Sequence, residues 1–189
     1  MKTLSVFIFL FFIGIWAGCN KSSTSIESEN NESGTGTIFI LSSSEIGVDS
    51  LLPIEYTCDG ESATLPLEWS GYPDDTKYFA MIMHHEASPT DIHWYWVLYN
   101  IPKTVNSLPE NVSGIGVLGT NSVNDQTEYS PPCSQGPGLK AYTYTVYALS
   151  EKVTVNCAQE EVNREILLNE MEEIILAEAD MTVWYERDI

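Results

Sequence analysis

Three histidines of this 189-residue chain, His84, His85 and His93, fall within ten residues, and Glu86 stands beside them. Imidazoles and a carboxylate suit zinc or copper. Adjacent residues of a strand point to opposite faces, however, so His84 and His85 can share a metal only where a strand ends. No C-x-x-C or Cys/His metal spacing accompanies them. Neither a metal nor any other cofactor is expected, and the histidines are read as polar groups at a strand end or pocket. Nucleophilic catalysis has no better footing, because the serines are scattered and no G-x-S-x-G elbow occurs. Gly114-Ile-Gly116-Val-Leu-Gly119 echoes a dinucleotide fingerprint, but no helix follows it and its surroundings read as strands, which leaves a flexible loop. The run His93-Trp94-Tyr95-Trp96, followed by Tyr99, is densely aromatic. Simple alternation puts Trp94, Trp96 and Leu98 on one face, as core, and His93, Tyr95, Val97 and Tyr99 on the other. Tyr95 is then free to line a concave site.

These residues sit among short apolar stretches. Thr37–Leu41, Tyr78–Met83, Trp94–Tyr99 and Tyr142–Leu149 read as strands, rich in β-branched, aromatic and aliphatic residues. Turn chemistry separates them at Cys58-Asp59-Gly60, Ser70-Gly71-Tyr72-Pro73, Ile101-Pro102 and Ser130-Pro131-Pro132. One helix is expected over 163–178, where Ile166, Leu167, Met171, Ile174 and Ile175 recur at helical spacing, with a last strand over Ala179–Tyr185. The pattern predicts a mainly β protein, an antiparallel β-sandwich with one late C-terminal helix.

Before the body lies a short charged start, Met1-Lys2, and an apolar run to Ile13, too short to span a membrane comfortably. It closes on Trp16-Ala17-Gly18-Cys19, which resembles a bacterial lipobox. Residues 1–18 are read as an export signal and Cys19 as the lipidated residue. Residues 19–36 are then a polar flexible tether, and 37–189 the folded domain. The expected place is the bacterial cell envelope, lipid-anchored and facing the periplasm. The formal charge is −19, and removal of Lys2 makes the mature part −20. Nucleic acid needs clustered Lys and Arg, which this chain lacks, so it is excluded as a partner. An anionic membrane would repel the body, which leaves the lipid as the only membrane attachment. In an oxidising compartment Cys58, Cys133 and Cys157 give one disulfide and one spare thiol, and spacing alone leaves the pairing open.

Several ordered motifs resemble the bacterial Raf-kinase-inhibitor-like branch of the phosphatidylethanolamine-binding protein family. They are Pro53-Ile-Glu-Tyr56-Thr57-Cys58-Asp59-Gly60, Pro66-Leu67-Glu68-Trp69-Ser70-Gly71, Trp96-Val97-Leu98-Tyr99-Asn100-Ile101-Pro102, Gly119-Thr120-Asn121, Tyr129-Ser-Pro131-Pro132-Cys133 and Gly136-Pro-Gly138-Leu-Lys140-Ala-Tyr142. The resemblance covers roughly residues 37–187. It implies a β-sandwich with peripheral helices and a small anion-accepting pocket at one end. The pocket's usual parts are a D-P-D-x-P loop, a strand His and a G-x-H-R-Y segment, and this chain departs from nearly all of them. His85 stands where the pocket Asp is expected, Tyr95 replaces the strand His, Lys140 the second His and Ala141 the Arg, while Tyr142 is retained.

The resemblance therefore implies a ligand set of His85, Tyr95, Lys140, Tyr142 and Pro132. A carboxylate is lost, a permanent cation gained, and two phenols can donate. Such a pocket suits a phosphate, a carboxylate or a phospholipid head group, free or displayed on a protein or lipid. The family fold also brings the Cys58 turn and the Cys133 loop to the same end, implying a Cys58–Cys133 disulfide with Cys157 free. The leading expectation is a non-enzymatic binding or regulatory module, possessing no catalytic residues and resembling kinase or protease inhibitors. The alternative is a weak hydrolase or phosphoryl-handling enzyme using His85 or His93 as acid or base, against which stands the want of paired carboxylates and an activated nucleophile.

Overall fold

Three of the first four expected strands come out longer than their apolar stretches, because pairing carries them into flanking residues, whereas of Thr37–Leu41 only Ile40 and Leu41 are in strand, where pairing with residues 68–70 begins. In the computed structural model, residues 37–187 are described. The expected export signal (1–18), Cys19 and the tether (19–36) lie outside the described residues. The elements in chain order are β1 (Ile40–Ser42), β2 (Leu67–Ser70), β3 (Tyr78–Ser88), β4 (Asp91–Pro102), β5 (Ser107–Leu108), β6 (Val117–Leu118), β7 (Lys140–Leu149), α1 (Arg164–Met171) and β8 (Ile175–Tyr185). Short 3-10 turns lie at Ile54–Tyr56, Gln159–Glu161 and Glu172–Ile174. Among the described residues the fold is mainly β, with antiparallel sheets and a single late α-helix.

A small sheet runs β1-β2-β5 and a large one β6-β4-β3-β7-β8. The principal core lies between them. Leu41, Leu67, Trp69 and Leu108 of the small sheet meet Phe79, Met81, Met83, Tyr144 and Val146 of the large one. The outer face of the large sheet buries Ala80, Ile82, Val97, Tyr99 and Leu149 beneath Leu167 and Met171 of α1. Each such aliphatic side chain taken fully out of water is worth about 1.5–3 kcal/mol. Asn163 caps α1, its side-chain oxygen accepting from the Ile166 N–H at 2.9 Å, a contribution of about 1 kcal/mol. Beyond β8, Leu51 pairs in parallel with Trp184. The Leu52 N–H donates to the Trp184 carbonyl and the Trp184 N–H to that of Ser50, each at 2.8 Å.

The helix is shorter than its periodicity predicts. Ile175, Ala177 and Ala179 fall at positions where β8 pairs with β7 as Leu149↔Ile175, Ala148↔Ala177 and Val146↔Ala179. Ladder hydrogen bonds along eleven residues outweigh the helical preference of the Glu/Ile/Leu/Ala run.

Simple alternation also fails along β4. Met83 pairs with Trp96 but His84 pairs with Trp94, so Tyr95 is an extra residue, a β-bulge. Trp94 consequently packs with the outer-face core alongside Val97 and Tyr99, while Tyr95, Trp96 and Leu98 belong to the inner one. The indoles that alternation put side by side lie on opposite faces. A second irregularity sits at Asn100, which adopts a left-handed backbone with φ of 58°. Its amide donates to the Val153 carbonyl at 3.1 Å and accepts from the Val153 N–H at 2.8 Å, so an Asn serves here where most residues would strain.

Candidate functional site

The β3–β4 hairpin and the start of β7 bring polar side chains to one end of the inner face. His85 stands opposite His93 across the hairpin. One strand over, Lys140 and Tyr142 have the same parity at the head of β7. These four, with Tyr95 from the bulge, line one cavity of about 500 Å³. The bulge is what seats the phenol, because Tyr95 would otherwise be an ordinary position between Trp94 and Trp96.

The local contacts are specific. His85 Nδ1 lies 2.8 Å from the carbonyl oxygen of Ala141. Its ring stands 5.5 Å from that of Tyr142, which in turn is 5.3 Å from the Tyr95 ring in an edge-on arrangement. Burial pushes both phenols up in pKa, and in Tyr142 the nearby Tyr95 adds to the shift. Both therefore remain protonated donors throughout the physiological range. Lys140 is half-buried and, among the described residues, forms no ion pair. No carboxylate lines the cavity.

Of the expected ligand residues, His85, Tyr95, Lys140 and Tyr142 come together in this wall. Pro132 does not join them. It is buried, and its carbonyl is taken by the Cys58 N–H at 3.0 Å. The following residues, Cys133, Ser134 and Gln135, supply the wall instead, and Ser122 and His93 complete it. Ser134 and Gln135 carry no motif of their own. Their position between a loop cysteine and the Gly136-Pro-Gly138 bend was the available signal.

Cys58 and Cys133 are joined in a disulfide with Cα atoms 5.3 Å apart, and Cys157 is a free, half-buried thiol. The bridge fastens the 133–135 wall to the turn at Asp59. Asp59 accepts from Tyr185 Oη and from Arg187 Nε at 2.9 Å, and Arg187 Nη2 stands 2.8 Å away. Tyr185 and then Arg187 hold the Asp59 carboxyl below the usual range. A larger groove of about 660 Å³ runs over Leu51, Ile54, Leu139 and Trp184. The charged residues that line it, Asp59 and Glu186, are carboxylates, which disfavour an anion there.

His84 faces away from both. It lies on the outer face opposite Trp94, with Nε2 3.6 Å from Glu86 Oε1 and Nδ1 buried without a partner. Burial, followed by the Arg164 charge, holds its pKa below the ordinary imidazole value, against the opposing pull of Glu86 and Asp180. The unfolded chain therefore binds a proton that the folded chain resists. Above pH 6.5 both forms are neutral and His84 leaves stability unchanged; as pH falls below that value, stability is lost until the folded-state pKa is passed. In urea titrations across this range, His84→Leu should flatten the acid limb relative to the parent. An unchanged limb would show that His84 takes up no proton on unfolding.

Among the described residues no cluster of three or more His, Cys, Asp or Glu side chains could hold a metal ion. No helix among them is long and apolar enough to cross a membrane.

Comparison with known proteins adds an independent line. A family model for phosphatidylethanolamine-binding protein matches residues 42–186. A UPF0098 protein of Methanothermobacter thermautotrophicus is 34% identical over 141 residues, covering 72% of this chain and 91% of its own length. Another from Chlamydia muridarum is 32% identical over 142 residues with the same coverage. Among solved structures, a putative phosphatidylethanolamine-binding protein homologue from Chlamydia trachomatis superposes with a TM-score of 0.72 at 26% identity, covering 80% of this chain and 99% of that one. YbcL of E. coli superposes at 0.70 with 25% identity, covering 79% and 99%.

Proposed function

The chain belongs to the phosphatidylethanolamine-binding protein family, and from that premise we propose that it is a non-enzymatic binding or regulatory module whose cavity accepts a small anionic group. One observation carries this reading. In a protein of net charge −19, the cavity wall holds Lys140, two imidazoles and two phenols, and no carboxylate. Ammonium and hydroxyl donors converging without a competing acid favour phosphate, carboxylate or a phospholipid head group, through charge-assisted hydrogen bonds. The ligand acts by occupancy, as an inhibitor-like module requires. Cys19 and the polar segment after it would hold the domain at a bacterial envelope membrane, facing the periplasm.

His85 and His93 meeting in one cavity is the feature that an acid-base hydrolase or phosphoryl-handling enzyme would need. Such an enzyme also needs an activated nucleophile or a carboxylate partner inside the cavity; the wall's serine hydroxyls, Ser122 and Ser134, donate to the Trp94 and Gly136 carbonyls rather than to a histidine, and no carboxylate lines it. Crystals soaked separately in phosphate, acetate and phosphoethanolamine test the binding reading. Density between Lys140 and Tyr142 is the expected result in at least one soak; a clear cavity in all three would overturn it.

A further inference from the structure

We infer that this cavity selects hydrogen phosphate over sulfate and over phosphate esters, through a lone pair that His85 presents to it. The inference rests on the anion-accepting reading above and narrows it to one kind of oxyanion. A carbonyl oxygen has no proton to give, so the 2.8 Å approach of His85 Nδ1 to the Ala141 carbonyl places the ring's hydrogen on Nδ1. In the neutral ring Nε2 is then an acceptor. It has no protein partner among the described residues, and it is the nitrogen left to the cavity.

Neighbouring serines reinforce this polarity. The Ser134 hydroxyl donates to the Gly136 carbonyl at 3.3 Å and that of Ser122 to the Trp94 carbonyl at 3.1 Å, so both have committed their hydrogens. His93 directs Nε2 to Asp91 Oδ1 at 3.2 Å. The wall thus combines donors, in Lys140, Tyr95 and Tyr142, with an acceptor at His85. A bound anion must accept from the first set and donate to the second. Hydrogen phosphate does both. Sulfate has the same charge and nearly the same shape but no hydrogen, and a fully ionised phosphomonoester has lost its own. Either would leave His85 Nε2 facing a bare oxygen, and a site built to pair a hydrogen discriminates strongly against an analogue lacking it.

The test is calorimetric titration of the purified protein with inorganic phosphate, sulfate and ethyl phosphate at about pH 8, where all three are mainly dianions. Nitrogen-15 NMR of the His85 ring at the same pH reads its hydrogen on Nδ1. Phosphate should bind about tenfold more tightly than either competitor, the scale of one well-placed hydrogen bond. His85→Phe keeps a ring against Tyr142 but removes the lone pair, and should bring the phosphate-to-sulfate ratio close to one. Equal binding of phosphate and sulfate by the parent protein overturns the selectivity, as does ethyl phosphate matching phosphate. A ratio that survives in His85→Phe, or a ring with its hydrogen on Nε2, overturns the role of His85. Failure of all three anions to bind defeats the underlying anion reading instead, and selectivity with it.

Discussion

Replacing both bridged cysteines, as Cys58→Ala with Cys133→Ala, is expected to cost about 4 kcal/mol of folding stability in the chain-entropy description of a cross-link. The bridge joins positions 75 residues apart. Between them lie β2, β3, β4, β5 and β6, so the loop that it closes in the unfolded chain holds more than half of the sheet strands. Joining the ends of so long a flexible loop removes much unfolded-state entropy, and the folded state has both segments in register already through the Cys58 N–H bond to Pro132. Cys157, a free thiol, is best replaced by Ser in both backgrounds so that exchange does not confuse the comparison. Urea unfolding at neutral pH measures the difference directly. A loss below about 1 kcal/mol would mean that the unfolded chain is already compact around this loop, so that the cross-link constrains little.

Lys140→Met should weaken phosphate binding by about 1.5–3 kcal/mol, which is roughly one to two orders of magnitude in affinity. The substitution keeps most of the stem and removes only the charge. Lys140 is the single permanent cation in the cavity wall, and along the chain no other Lys or Arg occurs between Lys103 and Lys152. The background of −19 makes the local charge matter more, since an anion approaching elsewhere is repelled. Added salt should narrow the difference by screening, moderately because the site is half-enclosed. Fold stability should change little, because the side chain is half-buried at the first residue of β7 and forms no ion pair among the described residues. Calorimetry that gives the same phosphate affinity for parent and Lys140→Met would place the ammonium in solvent and remove the main support for the anion site.

The sandwich was legible because three of its longest strands announce themselves by composition. Tyr78–Met83, Trp94–Tyr99 and Tyr142–Leu149 each lie wholly within an observed strand, as its start, its middle and its end respectively. What composition hides is the register. Nothing in His93-Trp94-Tyr95-Trp96 marks Tyr95 as the bulged residue, since the bulge arises from how β3 pairs with β4 rather than from any local preference. Asn100 is the exception, an amide residue at a strand position where a left-handed backbone is required. The end of the helix was hidden for a related reason. Ile174 and Ile175 satisfy a helical stripe, yet Ile175 opens a strand because β7 is there to receive it. At the site, the residues carried by strands came together in the cavity wall. Pro132 stayed outside because it is buried against the Cys58 turn, its carbonyl accepting from the Cys58 N–H next to the bridge.

The short parallel pairing of Leu51 with Trp184 has a consequence for life in a crowded solution. A long terminal strand such as β8 would otherwise display a row of open N–H and C=O groups, a template on which another chain can add itself and start a fibre or precipitate. The bonds from Leu52 to Trp184 and from Trp184 to Ser50 occupy part of that row. At the opposite border β6 is only two residues long, too brief to nucleate growth. Glu178 and Asp180 on β8, and Glu186 just past its end, add like charges that a second copy would have to bring together. Both borders of the larger sheet are thus poor templates for strand addition by a second copy.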